Sequence, residues 1–405
     1  FYFQSSGYYQ YGTYGAWLTD VSAGWYMDEV TVVTGPIETL VANVPQSFEE
    51  GLEDWQVANG TWQVGVPTSG PGGPHSGTNC AATVLGGNYY DDTSGWLISP
   101  SFVVPSADQN PRLRFWHWYS ISGHDFTELR IKVGTNAWQM LAHYTSTSSG
   151  VWSRPSFDLS AYAGQPVQIG FYFQSSGYYQ YGTYGAWLWD VAAGWYLDEI
   201  ELRAGPDMFN NPESFELSWG DWDTDNYALW QIGKPTYGPP TNSLGLRAYS
   251  YTNCAATLLG GNYSANSSGR LITPSFTVPA INPGDLLVLR SWQWYQYGAG
   301  DAGLLQISVG AGTNWFPWET LAIAAPTNGS SGTWQQFVGD LTPYQGQRVR
   351  LGFLHTANSD GSVGAGWYID EVELSGFIPN PMQLSQDVTG TFNSSGERAY
   401  YVMNA

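Results

Sequence analysis

The sequence predicts an all-β chain built from tandem antiparallel β-sandwich modules of jelly-roll type. Three observations carry this expectation. The strand-like heptad Gly194-Trp195-Tyr196-Leu197-Asp198-Glu199-Ile200 recurs as Gly24 to Val30 and as Gly366 to Val372. Short alternating runs such as Val167 to Phe171 and Val349 to Phe353 are separated by Gly, Pro, Asn and Ser clusters, the mark of many short strands. No long apolar face with a helical period interrupts them.

The heptad aspartates, Asp28, Asp198 and Asp370, are 170 and 172 residues apart (198 − 28, 370 − 198). That interval is a domain length rather than a short solenoid period. Residues 1–20 and 171–190 differ only at Thr19 and Trp189. Residues 1–36 therefore read as the closing strands of a truncated repeat. Residues 46–206 and 213–377 read as two full modules, opening at Ser47-Phe48-Glu49 and Ser214-Phe215-Glu216. Residues 378–405 change character and read as the opening strands of a further β-sandwich. Phe1 begins in mid-strand, so the sequence is expected to continue at both ends, with neighbouring modules or subunits completing the orphan strands.

Composition narrows the function. The chain of 405 residues is 42% hydrophobic and 16% aromatic, ample for packed cores. Only 12% is charged, about half the usual share, and the net charge is −21. Such acidity argues against nucleic acid or an anionic membrane as partner, because both select basic patches. No apolar run approaches the roughly 20 residues of a membrane helix. An extracellular setting, rich in divalent cations, suits this composition.

Each repeat carries one cysteine, Cys80 in Thr-Asn-Cys-Ala-Ala-Thr and Cys254 in the same hexapeptide. With no partner inside its module, each is expected to be a small buried side chain in a strand.

Strict alternation along the heptad strand puts Tyr196, Asp198, Ile200 and Leu202 on one face. A carboxylate on such a face needs a proton, a cation or hydrogen bonds. Lys132 and Lys234 are the only lysines, so a hard cation such as calcium is one reading. An aspartate bonded to backbone amides is the other.

His75, His117, His124, His143 and His355 fit no zinc spacing, and no nucleophile–base set recurs between the repeats. Asp125 and Asp301 recur in glycine-rich loops, where capping a turn is the simpler role. A non-enzymatic chain is expected. The stretch 175–190 concentrates Tyr178, Tyr179, Tyr181, Tyr184, Trp187 and Trp189 between two strands. Such aromatics cover their own sandwich, contact another module, or stack on sugars.

Four features, in the same order in both modules, carry a resemblance. They are the opening Ser-Phe-Glu; Cys-Ala-Ala-Thr with Gly-Asn-Tyr and Leu-Ile-Ser/Thr-Pro; Asp-Leu with Tyr and Gly-Gln-x-Val; and the closing Gly-Trp-Tyr-x-Asp-Glu. Together they resemble secreted bacterial jelly-roll modules of the MAM-like, cleaved-adhesin and choice-of-anchor type. The tail more weakly resembles the start of a pre-peptidase C-terminal domain. The resemblance implies a structural calcium between opening Glu and closing Asp, hence Glu49 with Asp198 and Glu216 with Asp370. Asp28 would pair with a glutamate outside this sequence. The expected function is a non-enzymatic secreted tandem-repeat protein, forming an adhesive fibre, stalk or surface layer. The alternative is a carbohydrate-binding, substrate-targeting array of a secreted hydrolase. Partners would be neighbouring modules and glycans.

Overall fold

A computed structural model describes residues 9–11, 17–19, 40–59, 61–145, 150–177, 179–181, 187–311, 314–377, 380–382 and 401–403. The chain divides into two compact units, Phe1–Thr39 and Leu40–Ala405. In the first, Tyr9–Tyr11 pairs antiparallel with Trp17–Thr19. Asp28 and the rest of that segment lie outside the described residues. In the tail, Asn380–Met382 pairs parallel with Tyr401–Met403; the other predicted tail strands also lie outside the described residues.

The second unit contains two antiparallel β-sandwiches. In the first, one sheet orders its strands Gln139–Thr145, Phe126–Val133, Pro166–Gln174, Ser94–Ile98 and Gln56–Ala58, with Phe102–Val103 also on Pro166–Gln174. The facing sheet orders Ser156–Asp158, Arg112–Ser120, Gly194–Arg203, Cys80–Ala82 and Gln63–Gly65. The second sandwich repeats this plan, with Arg348–Thr356 central in one sheet. Its other sheet orders Gln231–Gly233, Cys254–Ala256, Gly366–Phe377, Leu286–Gln296 and Gln335–Asp340. Most spatial neighbours are not consecutive in sequence, the crossover pattern of a jelly roll. The only helix among the described residues is three single 3-10 turns.

Inward-facing rings fill both cores in the same positions. In the first, Phe48 lies 5.8 Å from Trp55, and Phe171 lies 5.3 Å from Trp195. In the second, Phe215 lies 5.0 Å from Trp222, and Phe353 lies 5.6 Å from Trp367. Cys80 and Cys254 are free and buried in strands.

The closing strand departs from strict alternation. Glu199 and Glu371 adopt positive φ, 46° and 45°, at a register shift in the pairing with the neighbouring strand. This is a β-bulge, and the extra residue reverses which side the following side chains face. Trp195 and Leu197 enter the main core before the bulge, and Ile200 and Leu202 enter it afterwards. Tyr196 instead packs with Cys80 and Ala82 on the opposite side. The single face predicted for Tyr196, Asp198, Ile200 and Leu202 is thus corrected. Asp198 lies not in the main core but on the outer side of its sheet, beneath a covering loop.

Candidate functional site: carboxylate clasps and a moored hairpin

That loop, 69–79, is fixed by residues spread along the sequence. Ser69 Oγ lies 2.8 Å from Tyr196 Oη. His75 stacks on Trp116 with ring centres 3.7 Å apart, and its Nδ1 lies 2.6 Å from Glu199 Oε2. The Ser76 amide donates to Asp198 Oδ2 at 2.9 Å, and the Glu199 amide donates to Oδ1 at 2.8 Å. Glu49 Oε1 accepts the amides of Thr78 at 2.9 Å and Asn79 at 2.8 Å. The opening Glu and closing Asp therefore hold the same stretch of the loop, residues 76–79, side by side.

The second sandwich repeats the clasp. Ser250 N donates to Asp370 at 2.9 Å, and Thr252 and Asn253 donate to Glu216 at 3.1 and 2.6 Å. Tyr249 takes the place of His75, stacking 3.9 Å from Trp292. Ser250 Oγ donates to Glu371 in place of the histidine contact.

Both aspartates are fully buried, and among the described residues neither forms an ion pair. Burial pushes Asp198 up to about 7 against the pull of its amide bonds, with Glu199 repelling it. Burial pushes Asp370 up to about 8, and the charges of Glu371 and Glu216 add to this. Burial also pushes Cys80 up to about 12, helped by the charges of Asp198 and Glu49. A thiol held so high is no nucleophile at neutral pH.

No group of three or more His, Cys, Asp or Glu side chains among the described residues is placed to hold a metal. What is present is a pair of carboxylates converging on one loop and one thiol, with backbone around them. Oxygen donors of this kind suit a hard cation. The amide bonds satisfy the carboxylates in part, so the clasp has the hydrogen-bonded geometry of the alternative reading as well.

The aromatic stretch is a hairpin. Tyr179–Tyr181 pairs with Trp187–Trp189, placing Tyr179 across from Trp189 and Tyr181 across from Trp187. Tyr178 and Tyr184 lie outside the described residues. The hairpin is moored at both ends to the loop 122–125. At its start, Ser176 N donates to Asp125 Oδ1 at 2.7 Å, while Tyr89 Oη donates to Asp125 Oδ2 at 2.5 Å. At its end, Asp190 accepts from Ser122 Oγ and lies 3.0 Å from His124 Nδ1. Tyr263, Asp301 and the Asn358 amide repeat the first mooring in the second sandwich. Asp125 and Asp301, expected to cap turns, also accept from tyrosines that their own loops do not contain. The signal was there: Gly-Asn-Tyr and the loop aspartate recur together in both repeats.

The two sandwiches meet through a further site that sequence reading did not find. Asp221 of the second, with Asp207 of the link between them, enters an arginine-lined seat on the first, made by Arg112, Arg114 and Arg203. Arg154 donates to the carbonyls of Gly220 and Trp222 at 3.0 and 2.6 Å. Trp116 packs its ring 5.5 Å from Tyr227 and 6.1 Å from Trp219.

Fold and sites together define a tandem jelly-roll β-sandwich protein with a recurrent carboxylate clasp. No family model matches the chain. It is similar to bacillopeptidase F of Bacillus subtilis, 30% identical over 217 residues, covering 49% of this chain. The match spans 14% of that relative's length. Among solved structures it is similar to the CBM22-1–CBM22-2 tandem of Paenibacillus barcinonensis Xyn10C. That likeness has 15% identity, covers 85% of this chain and 100% of that one, and has a TM-score of 0.27. The K3 cleaved adhesin domain of Lys-gingipain from Porphyromonas gingivalis is also similar, at 16% identity, 40% and 97% coverage, and a TM-score of 0.26. With TM-scores this low, the likeness carries no functional reading.

Proposed function

We propose that this chain is a non-catalytic extracellular protein in which homologous β-sandwiches are locked in fixed order to make an adhesive fibre, stalk or surface layer. The observation that supports it is the arginine seat. Two modules tethered only for proximity need no buried ion-pair cluster, and ordinary inter-domain contacts leave relative motion. Arg114, Arg203 and Asp221 instead form a charged joint with Asp221 excluded from water. A rigid joint between repeats sets spacing, and repetition multiplies reach and binding sites without new chemistry. Electron micrographs and sedimentation of the secreted material test this. Extended particles of regular module spacing are expected; freely jointed, dispersed modules would count against it.

Calcium belongs to the same proposal. Glu49 with Asp198, and Glu216 with Asp370, would hold it, and it would supply the positive charge their burial lacks. It is a structural ion here, with no part in a reaction.

A second reading is favoured by the moored aromatic hairpin and by the peptidase named among the relatives. On it, the chain is a glycan-binding, substrate-targeting appendage of a secreted hydrolase. Tyr and Trp offer stiff, half-polar contact area for sugar rings. A flat response across polysaccharide arrays would remove this reading and leave the first standing.

A further inference from the structure

Five of the chain's eleven arginines line one cleft between the two sandwiches: Arg112, Arg114, Arg154, Arg348 and Arg350. The cavity has a volume of about 250 Å³. In a chain of net charge −21, such a concentration is far from what composition alone would place there. Three aspartates, Asp207, Asp221 and Asp223, share the wall. Their pairing leaves a positive excess. Asp207 and Asp221 are engaged by Arg112, Arg114 and Arg203. Asp223 accepts from its neighbouring amide at Thr224 and from Tyr227 Oη.

Two guanidiniums are left without a carboxylate within ion-pair distance among the described residues. Arg154 donates to the Gly220 and Trp222 carbonyls. Arg350 lies over the rings of Trp315 and Trp318, 4.5 and 4.8 Å from their centres. The Nε of Arg350 and of Arg112 are buried with no hydrogen-bond partner. Burial, and then repulsion from neighbouring arginines, holds both groups below the usual guanidinium range. Uncompensated buried N–H groups and like charges are both costly. An oxyanion seated among these guanidiniums would relieve the like-charge repulsion, because the guanidinium fork matches such oxygens. The remaining wall is polar, with Asn110, Ser156, Thr273 and Ser275 beside the Trp315 ring. That lining suits an anion carried on a hydroxylated ring.

We propose that the inter-sandwich cleft is an oxyanion site, taking the carboxylate or sulfate group of an acidic saccharide unit. The cavity is smaller than the roughly 300 Å³ at which drug-sized pockets begin, so it admits one charged unit rather than a long chain. This goes beyond the assembly reading: a chain that formed no fibre, and whose hairpin bound no glycan, would still have the cleft.

Calorimetric titration of the whole chain with glucuronate, inorganic sulfate and neutral glucose tests it. Glucuronate should bind, with affinity falling as salt rises, and glucose should not. Arg350→Gln should weaken binding about tenfold or more, as loss of a charged hydrogen bond does. Arg130→Gln, on the outer sheet over Trp96 and Tyr172, should leave it unchanged. Ser156→Asp supplies a variant whose folding is not in question. Ser156 is exposed on an edge strand, and a carboxylate there would compete for the cleft. It should abolish binding while the melting temperature holds. Sulfate binding that also disappears in both cleft variants supports the site, with a free anion as ligand. Sulfate binding that persists unchanged in both variants would mean an adventitious ion only and would overturn the proposal. So would the absence of any anion binding.

Discussion

Asp221 Oδ1 of the second sandwich lies 2.5 Å from Arg114 Nη1 of the first. The carboxylate is 1% exposed; its other oxygen accepts from Arg203 Nη2 at 3.0 Å and from the Met208 amide at 2.7 Å. Burial alone would raise this group, but Arg114, the Met208 amide and Arg203 hold it below the usual carboxylate range. Its contribution to stability is therefore complete above its ordinary pKa and is lost as pH falls below that. Removing one partner of a buried pair commonly costs about 3–5 kcal/mol, because the other charge is left uncompensated. Asp221→Ala is expected to split a shared calorimetric unfolding transition into two, with the first sandwich melting earlier. A single transition at the original temperature would show that the joint does not couple the modules.

The clasp aspartates make the opposite pH prediction. Without a cation, Asp198 and Asp370 titrate in the folded state near 7 and 8, above their ordinary value of 3.8. Folding then favours their protonated form. Their contribution to stability is fullest below about pH 4 and is lost as pH rises through 7 to 8. With calcium bound, the ionised form is favoured and the trend reverses. Calcium at a hundredfold excess over its dissociation constant would add about 2.7 kcal/mol. Melting curves from pH 4 to 8, in chelator and in calcium, should diverge as pH rises. Asp198→Asn should flatten the chelator curve for the first sandwich. Superimposable curves would dispose of calcium and leave the carboxylates bonded to amides alone.

Much of this fold could be read from recurrence. Two of the Gly-Trp-Tyr-x-Asp-Glu copies and the paired cysteine hexapeptides fall on strands, as their recurrence led one to expect. The position of Asp198 could not be read that way, because periodicity assumes an unbroken pleat. The bulge at Glu199 depends on a positive φ in a residue that gives no warning of it. The inter-sandwich seat was invisible for another reason. Arg112 and Arg203 in the first repeat are replaced by Val288 and Ser375 in the second, while Arg114 and Asp221 recur as Arg290 and Asp54, so recurrence does not single out the seat. The seat thus combines a recurrent pair with arginines found in the first repeat alone.

One such difference gives a conservative test. His117 and Gln293 occupy the same place beside the closing-strand tryptophan. Trp195 Nε1 donates to His117 Nδ1 at 3.3 Å, and Trp367 Nε1 donates to Gln293 Oε1 at 2.9 Å. Burial drives His117 from 6.5 down to about 3. A histidine held neutral contributes stability above its ordinary pKa, which is lost as pH falls from there toward 3. His117→Gln should fold, since the second sandwich already uses glutamine there. It should move the acid-unfolding midpoint of the first sandwich to lower pH and leave stability at pH 8 within about 1 kcal/mol. An unchanged acid midpoint would mean that other groups control acid unfolding.

The clasp loop also rests on one glycine contact. Gly70 has φ +69°, and a Cβ there would lie 2.5 Å from Cε2 of Tyr196. Gly238 repeats this against Tyr368, at φ +81° and 2.6 Å. Gly72, two residues along the same loop, has φ +77° with open space around its Cβ position. The pair separates strain from packing. Alanine at either site incurs backbone strain of about 1–3 kcal/mol. Only at Gly70 must the loop also lift from the Tyr196 ring. Lifting it would draw the Ser76 amide from Asp198 and the Thr78 and Asn79 amides from Glu49. Gly70→Ala should therefore destabilise more than Gly72→Ala, and it alone should blunt the melting response of the first sandwich to calcium. Equal losses in the two variants, with equal calcium responses, would show that the loop is held by its own backbone rather than by the sheet beneath it.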